Sequence, residues 1–352
     1  MSPSLEDHKA PWPDHLDRRA VVILSTFFIG ILTPFLGVWE PWEAENAFII
    51  ERMLETGRWL EVSVDGKSFL SELPFAWWPT AIVSWLIGIS ELSLRLPGLL
   101  MGVGVSVLLF VVSRHYFGRL TAWLGVVALL TMPLFTYHVR LSMGMAPVMC
   151  TTAISSLCFL RLVSNEPASR VWVWGAWLSA VMAGLTGGLN GLITPLGTLI
   201  AVIFSQGNHT ERLAAIKRVI RVDAVLVTML LVSVGWWRAG VHRPEGTSLS
   251  ALLFLAESLD GVFKGAERPS FELFIHQLGF GLFPLVAFLP FAFADCLSSE
   301  DHDGERKVII AGSTAWFAIA FIGPAIGASF SHHGFFLGAP AVALIIGVYF
   351  AR

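Results

Sequence analysis

The chain alternates long apolar runs with short polar segments that hold most of its charged residues. The apolar runs occupy approximately residues 21–38, 75–90, 97–113, 120–136, 145–160, 171–187, 191–205, 222–237, 276–294, 308–327 and 335–351. A helix of about 20 apolar residues spans a bilayer, and lipid cannot satisfy the backbone groups of an open structure. The pattern therefore predicts an all-α integral membrane protein with about ten transmembrane helices.

The run at 75–90 is the exception among them. It is short, it opens with Trp77-Trp78-Pro79, and it ends at Gly88. If this run crossed the membrane, the basic loop at 113–119 would lie outside, apart from the other basic loops. If the run lies in the interface, 14 of the 23 Lys and Arg residues fall on the cytoplasmic side, as the positive-inside rule requires. We therefore predict an interfacial helix at this position.

This topology gives the chain a simple division. Residues 1–20 form a cytoplasmic N-terminal segment, and residues 21–352 form a single polytopic membrane domain. Its large external loops are expected at 39–96 and 238–275. The first apolar run is expected to be a retained span, because the bulky residues that follow it do not suit cleavage by signal peptidase. Both ends of the chain are expected in the cytoplasm.

Composition supports a membrane protein and excludes other classes. Of the 352 residues, 55% are hydrophobic and only 14% are charged, whereas about 25% are charged in an ordinary soluble protein. The net charge of −3 offers no basic field that would attract nucleic acid. The three cysteines lie in or beside apolar runs without the spacing of metal ligands, so we expect free thiols and neither a metal nor another cofactor.

The apolar runs carry almost no ionisable residue away from their ends. Ion-coupled transporters usually place a carboxylate or histidine near mid-membrane, and many are built from internal repeats, which are not visible here. The chemistry is therefore expected on the external face. There the densest group of acids follows the first span, in WEPWEAENAFIIERMLETGRW, residues 39–59.

This acidic stretch is expected to form a helix on the membrane surface. Between Glu43 and Glu55, apolar residues recur at near-helical spacing among the charged ones, and the pattern ends at Thr56-Gly57. Glu43 falls in the first turn, where the helix dipole stabilises a carboxylate. Spacing alone leaves two roles open for Glu43: a partner of the helix N-terminus, or a catalytic group.

The stretch EPWEAENAFIIERMLETGRWLEVSVDGKSFLSELPFAWWPTAIVSWLIGISELSLRLPGLL resembles the first external loop of the polytopic membrane glycosyltransferases of the GT-C fold. It is similar to the bacterial protein O-mannosyltransferase and lipid A aminoarabinose transferase group, which is glycosyltransferase family 39-like. The matching pieces, in order, are Glu43, Met53-Leu54, Gly57, Trp59, Gly66, Phe69, Glu72, Pro74 and Arg95-Leu96-Pro97. The similarity continues through GLTGGLNGLITPL, FELFIHQLGFGLFP and SHHGFFLGAPAVALIIGVY, so it covers most of the chain.

The resemblance implies a sugar transfer. In that family the donor is a sugar on a polyprenyl phosphate, and the acceptor is a lipid or protein at the outer face of the bacterial inner membrane. The acceptor oxygen needs a carboxylate that takes its proton, and the leaving phosphate needs cations or other donors. The resemblance therefore implies catalytic roles for Glu43 and Glu40, with membrane lipids as further partners. The candidates for binding the donor or the acceptor are Arg58, Lys67, Glu72, Arg140, Asn190, Lys264, Arg268, His332 and His333.

Several positions depart from the family pattern. The family's second-loop acid corresponds to Met145, and two family lysines are replaced by Leu73 and Asn190. The family's Asp-Glu pair is Trp42-Glu43 here, although WEPWE is similar to the W-D-P-W-E of one branch, with Glu40 at its Asp. Three hypotheses follow: an active glycosyltransferase, a catalytically weakened homologue that binds lipid or a partner subunit, and a transporter of a lipid-linked intermediate.

Overall fold

The chain folds into one set of packed helices. The computed structural model describes residues 14–31, 37–38, 42–60, 63–64, 67–68, 74–142, 144–162, 169–220, 222–241, 275–298, 304–326 and 336–352. The helices are α1 (Asp14–Gly30), α2 (Trp42–Thr56), α3 (Trp78–Ile87), α4 (Glu91–Phe117), α5 (Arg119–Thr131), α6 (Pro133–Arg140), α7 (Met145–Leu162), α8 (Arg170–Phe204), α9 (His209–Val219), α10 (Val222–Val241), α11 (Leu289–Ser298), α12 (Gly304–Ile326) and α13 (Ala339–Phe350). Two short strands, β1 (Ser63–Val64) and β2 (Lys67–Ser68), form an antiparallel pair after α2.

The long helices run between two faces of the bundle. Near the start of α4, Arg95 contacts Glu43, whereas near its end Arg114 contacts Asp17. The helical rise between these two arginines amounts to about 28 Å, which is close to the thickness of the hydrocarbon core of a bilayer. We call the end that carries Glu43 and Arg95 the Glu43 face, and the end that carries Asp17 and Arg114 the Asp17 face.

The main apolar core lies between α4, α5, α7, α12 and α13. Its largest fully buried side chains include Phe110, Phe135, Met149 and Trp316. Many large apolar side chains are exposed on the outer surfaces of α1, α8 and α10, which suits helices that face lipid. The protein is therefore built as a membrane-embedded helical bundle.

By length and apolar composition, three described helices qualify as membrane spans: α4, α7 and α8. The α5–α6 and α9–α10 pairs each qualify only when taken together, with bends of 65° and 56°, which raises the number to five. The other apolar helices of the described residues, such as α3 and α13, are shorter. The sequence-based count of about ten spans therefore stays a prediction.

The run at 276–294 differs from the single helix that its composition predicts. The structure has a π-helical turn at Ile275–Phe280, a 3-10 turn at Leu285–Phe288 and then α11. Pro284 lies between the two turns and has no backbone N–H, so a continuous helix would lose a hydrogen bond there. The carbonyl of Gly281 instead accepts a hydrogen bond from the N–H of Leu134 at 2.8 Å, which joins this segment to α6.

The chain reverses direction inside α8, at Gly188. This residue has φ 58° and ψ −140°, which are not helical values. A Cβ placed on Gly191 would lie 2.1 Å from the carbonyl oxygen of Ala183, whereas residues eight apart in a straight helix are separated by about 12 Å. Residues 170–187 and 189–204 therefore form two arms joined by a tight turn, which agrees with the break between the apolar runs at 171–187 and 191–205.

We expect Gly191→Ala to destabilise the protein, because its new methyl group would overlap the backbone of the opposite arm. Overpacking of this kind costs about 1–3 kcal/mol, and backbone cannot move aside as a side chain can. The matched control is Gly104→Ala in α4, since a Cβ there has no atom within 4 Å. Unfolding in detergent micelles measures both variants, and equal stability of the two would contradict the tight turn.

The short helix α3 stays on the Glu43 face. At its beginning, Trp77 Nε1 donates to Asn46 Oδ1 at 2.7 Å, which ties it to α2. Near its end, Ser84 Oγ donates to Ser93 Oγ at 3.2 Å, which ties it to the first turn of α4. Both ends thus meet the same face, and ten residues of helix extend only about 15 Å. A helix that stays at one end of the bundle is what the predicted interfacial helix requires, and its position relative to the membrane stays a prediction.

Candidate active site

Glu43 lies in the first turn of α2 and is buried against α4. Arg95 Nε donates to Glu43 Oε1 at 2.9 Å and Arg95 Nη2 donates to Glu43 Oε2 at 2.5 Å, so the two groups form a bidentate ion pair. The backbone N–H of Ser142 also donates to Oε1, at 2.9 Å. Only 1% of Glu43 and 2% of Arg95 is exposed. Three donors therefore fix this carboxylate in one position and shield it from solvent.

The backbone of Ser142 holds α2 at a second point. Its carbonyl oxygen accepts a hydrogen bond from Asn46 Nδ2 at 2.5 Å, one helical turn beyond Glu43. The side-chain oxygen of Asn46 is in turn bound by the indole N–H of Trp77. Both backbone polar groups of one residue in the α6–α7 connection, Ser142, are thereby paired with α2. This arrangement docks α2 onto the α6–α7 connection and the start of α4.

The sequence of α2 explains why this side of the helix is buried. Glu43, Asn46, Ile50 and Met53 are three or four residues apart, so they share one face. The apolar members pack with Trp77, Ala81 and Leu94 of the neighbouring segments. The charged residues on the opposite side are exposed, namely Glu45, Glu51, Arg52 and Glu55. The amphipathic pattern is thus real, but two polar side chains belong to its buried stripe.

Arg140 ends α6 on the same face, two residues before Ser142. Its Nη2 donates to the carbonyl oxygen of Ile31, at the end of α1. Its Nε is buried and has no hydrogen-bond partner within the described part of the chain. A buried donor without an acceptor costs about 1–3 kcal/mol. The guanidinium is therefore suited to receive an anion at this point.

The structure brings together some of the predicted site residues and not others. Glu43 and Arg140 lie beside the same α6–α7 connection. Asn190 is half-buried just after the reversal in α8, and Arg58 is exposed beyond the end of α2. Lys67 is described only through its backbone, as part of β2. The remaining candidates lie outside the described residues: Glu40, Glu72, Lys264, Arg268, His332 and His333.

Three residues of the network were not identified from the sequence: Asn46, Trp77 and Ser142. Asn46 carries the one signal that sequence analysis can use, because it is a polar residue on the apolar stripe of α2. Ser142 contributes only backbone groups, which any residue except proline supplies, so its type carries no signal. Among the described residues, no group of three or more His, Cys, Asp or Glu side chains is placed to hold a metal ion.

Comparison with known sequences points to one enzyme group. The sequence model of the family described as dolichyl-phosphate-mannose-protein mannosyltransferase matches residues 71–237. The chain is 23% identical over 299 residues to the undecaprenyl phosphate-alpha-4-amino-4-deoxy-L-arabinose arabinosyl transferase of Pectobacterium carotovorum, covering 83% of this chain and 52% of that one. The chain therefore spans about half the length of this relative.

Solved structures share the fold. ArnT from Cupriavidus metallidurans, in a crystal structure bound to undecaprenyl phosphate, matches 96% of this chain and 60% of its own chain, with a TM-score of 0.73 and 19% identity. The oligosaccharyltransferase of Archaeoglobus fulgidus matches 96% of this chain and 50% of its own, with a TM-score of 0.60 and 12% identity. The chain thus has the GT-C fold and resembles the polytopic membrane glycosyltransferases of the protein O-mannosyltransferase and aminoarabinose transferase group.

Proposed function

We propose that the chain is a membrane glycosyltransferase that moves a sugar from a polyprenyl-phosphate donor to a lipid or protein acceptor, with its site facing outward from the bacterial inner membrane. The observation that carries the proposal is the fold, since 96% of the chain matches ArnT, whose crystal structure holds undecaprenyl phosphate. The family match and the named activity of the arabinosyl transferase relative support the same chemistry.

The reaction requires three things of the protein. A hydroxyl oxygen of the acceptor forms a bond to the anomeric carbon while the bond from that carbon to the phosphate oxygen breaks. The sugar is transferred, the polyprenyl phosphate leaves with the bonding electron pair, and the hydroxyl proton passes to a carboxylate. The site therefore needs a proton acceptor, a cation for the leaving phosphate and a fixed scaffold around both.

We assign the scaffold to Glu43 and the proton-accepting role to Glu40. Glu43 already holds three hydrogen bonds and is buried, so a proton transfer to it would break its ion pair with Arg95. Glu40 stands in sequence between Gly37, whose carbonyl accepts from Arg95 Nη2 at 2.8 Å, and Glu43. One guanidinium thus contacts a residue that precedes Glu40 in sequence and a residue that follows it.

The leaving phosphate is assigned to Arg140. The Nε of Arg140 has no hydrogen-bond partner in the described part of the chain. Arg140 ends α6 two residues before Ser142, so its guanidinium lies on the Glu43 face. A phosphate oxygen would satisfy this donor with a charge-assisted hydrogen bond, which is stronger than one between neutral groups. The family lysine positions taken by Leu73 and Asn190 make this arginine more important, because those side chains carry no charge.

We expect Arg140→Gln to weaken binding of undecaprenyl phosphate by about tenfold or more, since a hydrogen bond to a charged group contributes about 1.5–3 kcal/mol. Native mass spectrometry of the purified protein with added undecaprenyl phosphate measures this affinity. The matched control is Arg52→Gln, which removes an exposed cation of α2. An equal loss in the two variants would reduce the effect to general charge and contradict a specific role for Arg140.

A non-enzymatic homologue that binds lipid is the second candidate. The observation in its favour is that Met145, at the family's acid position, supplies no carboxylate at the start of α7. Such a protein would bind undecaprenyl phosphate with the same dependence on Arg140, but it would transfer no sugar. The comparisons give a transporter of a lipid-linked intermediate no support, because the named family and relatives are transferases.

A further inference from the structure

A polar cavity lies on the Asp17 face, at the end of the bundle opposite to the Glu43 network. It has a volume of about 390 Å³ and opens between the ends of α1, α4, α7 and α8. Its polar lining consists of Asp14, Arg18, Arg114, His115, Arg161 and Trp172. The length of α4 separates it from the network around Glu43 by about 28 Å. The proposed transfer reaction therefore makes no use of it.

The wall of this cavity carries a surplus of positive charge. Three arginines line it against one carboxylate, Asp14, which forms ion pairs with Arg18 and Arg114. Behind the wall, Asp17 binds Arg114 Nη1 at 2.5 Å and Arg119 Nη2 at 2.9 Å. Among the described residues, four arginines thus face two carboxylates. These guanidinium groups would attract an anion that enters the cavity.

Asp17 keeps its own charge and fixes the floor of the cavity. Burial by itself would raise the pKa of Asp17, but hydrogen bonds and charge from Arg119 and Arg114 hold the pKa below its ordinary value. Arg114 also binds Asp14, at 3.0 Å, so its guanidinium is held by two carboxylates. The guanidinium of Arg161 lies 5.8 Å from the centre of the Trp172 ring, which orients it within the wall.

The residues around the cavity suit the binding of a lipid headgroup. Trp172 and Trp174 lie in the first turns of α8, and tryptophan is enriched where membrane helices meet water. Exposed apolar side chains continue away from the cavity along two of its helices, such as Ile23 on α1 and Leu178 on α8. Basic pockets between membrane helices bind the headgroups of anionic lipids, and apolar surface beside them holds the acyl chains.

We infer that this cavity binds the phosphate group of an anionic phospholipid, with Arg18 and Arg161 donating to the phosphate oxygens. Arg114 provides charge from the floor, where Asp14 and Asp17 hold it. The acyl chains of the lipid lie along the exposed apolar surfaces of α1 and α8. The loop-charge pattern predicts the cytoplasmic leaflet as the source of the lipid. The site is separate from the one proposed for the sugar donor.

The test compares lipid binding by the full chain and by variants in native mass spectrometry. We expect phosphatidylglycerol to bind more tightly than zwitterionic phosphatidylcholine, and Arg161→Gln to lower its affinity by about fivefold, since an arginine near an anionic surface contributes about 1 kcal/mol. Arg18→Gln should also lower the affinity for phosphatidylglycerol. The Arg18 side chain is half exposed, so this change should leave the fold intact. The matched control is Lys217→Gln, an exposed cation on α9 outside the cavity.

Soluble phosphates identify the source of the bound group. Displacement of phosphatidylglycerol by millimolar glycerol 3-phosphate would support the phosphate site but assign it to a soluble ligand. No displacement, with binding still lost in Arg161→Gln, supports the lipid. Equal binding of the two lipids, or an equal loss in Arg161→Gln and Lys217→Gln, would overturn the proposal. Because the readout is lipid binding and not transfer, the result does not depend on whether the protein proves to be an active transferase.

Discussion

Arg95→Ala is expected to cause the largest loss of stability of any single change on the Glu43 face. Removing the guanidinium leaves the buried Glu43 carboxylate without its bidentate partner, and breaking a buried ion pair in this way costs about 3–5 kcal/mol. The change also removes the contact to the carbonyl of Gly37. Unfolding of the purified protein by titration with a denaturing detergent, followed by tryptophan fluorescence, measures the loss. The control is Arg52→Ala, an exposed cation on the same helix as Glu43.

A double variant separates the ion pair from other effects of the change. In Glu43→Leu/Arg95→Met both charges are gone, so neither is left alone in an apolar site, and replacement of a buried pair by apolar residues is often close to neutral. We therefore expect the double variant to be more stable than Arg95→Ala. The matched single variants are Glu43→Leu and Arg95→Met. If their losses of stability simply add up to the loss in the double variant, Glu43 and Arg95 do not stabilise each other, and their contact is contradicted.

The helical fold follows from periodicity because lipid enforces a simple rule. A chain in hydrocarbon must pair its own backbone groups, so apolar runs become helices wherever they occur. The helix α2 and the reversal at Gly188 were also predictable, because both depend on local features. The spacing of apolar residues predicts the helix, and glycine permits the turn. The two glycines and the proline of Gly279–Pro284 suit a bend or a close helix contact, and the structure interrupts the helix there, because proline has no backbone N–H.

The contacts within the candidate site were less predictable, because they join residues far apart in sequence. Glu43 and Arg95 are 52 residues apart, and Ser142 is 99 residues from Glu43. A motif shows that these residues occur together in a family, but not which atoms meet. The sequence therefore indicated a catalytic carboxylate at Glu43, whereas the structure surrounds that carboxylate with three donors. Its predicted role as a base stays a prediction that kinetics must test.

Replacing each acid of WEPWE separately gives the most direct test of the proposed chemistry. We expect Glu40→Gln to lower the rate of sugar transfer by about 10²–10⁴-fold, because a positioned proton acceptor contributes that much and glutamine cannot accept a proton. The free energy of unfolding should change by no more than about 0.5 kcal/mol, because glutamine keeps the size and shape of the glutamate side chain. Release of undecaprenyl phosphate from a panel of undecaprenyl-phosphate sugars measures the rate, with purified protein in lipid nanodiscs and with lipid and peptide hydroxyl acceptors present.

Glu43→Gln should behave differently, since the structure gives it an anchoring role. It should lower the stability of the protein, and transfer should fall less than in Glu40→Gln when it is measured well below the unfolding temperature. The pH profile separates the two roles: loss of the base removes the rise in kcat/KM on the acidic side, whereas loss of an anchor leaves that rise in place. Glu45→Gln, on the exposed side of α2, is the matched control and should change neither quantity.

If Glu43→Gln removes the rise while Glu40→Gln keeps it, Glu43 is the base and the assignment of the base to Glu40 is wrong. If the folded wild type binds undecaprenyl phosphate but releases none from any donor, the chain is the non-enzymatic homologue, because the scaffold and the phosphate site would then be present without the chemistry.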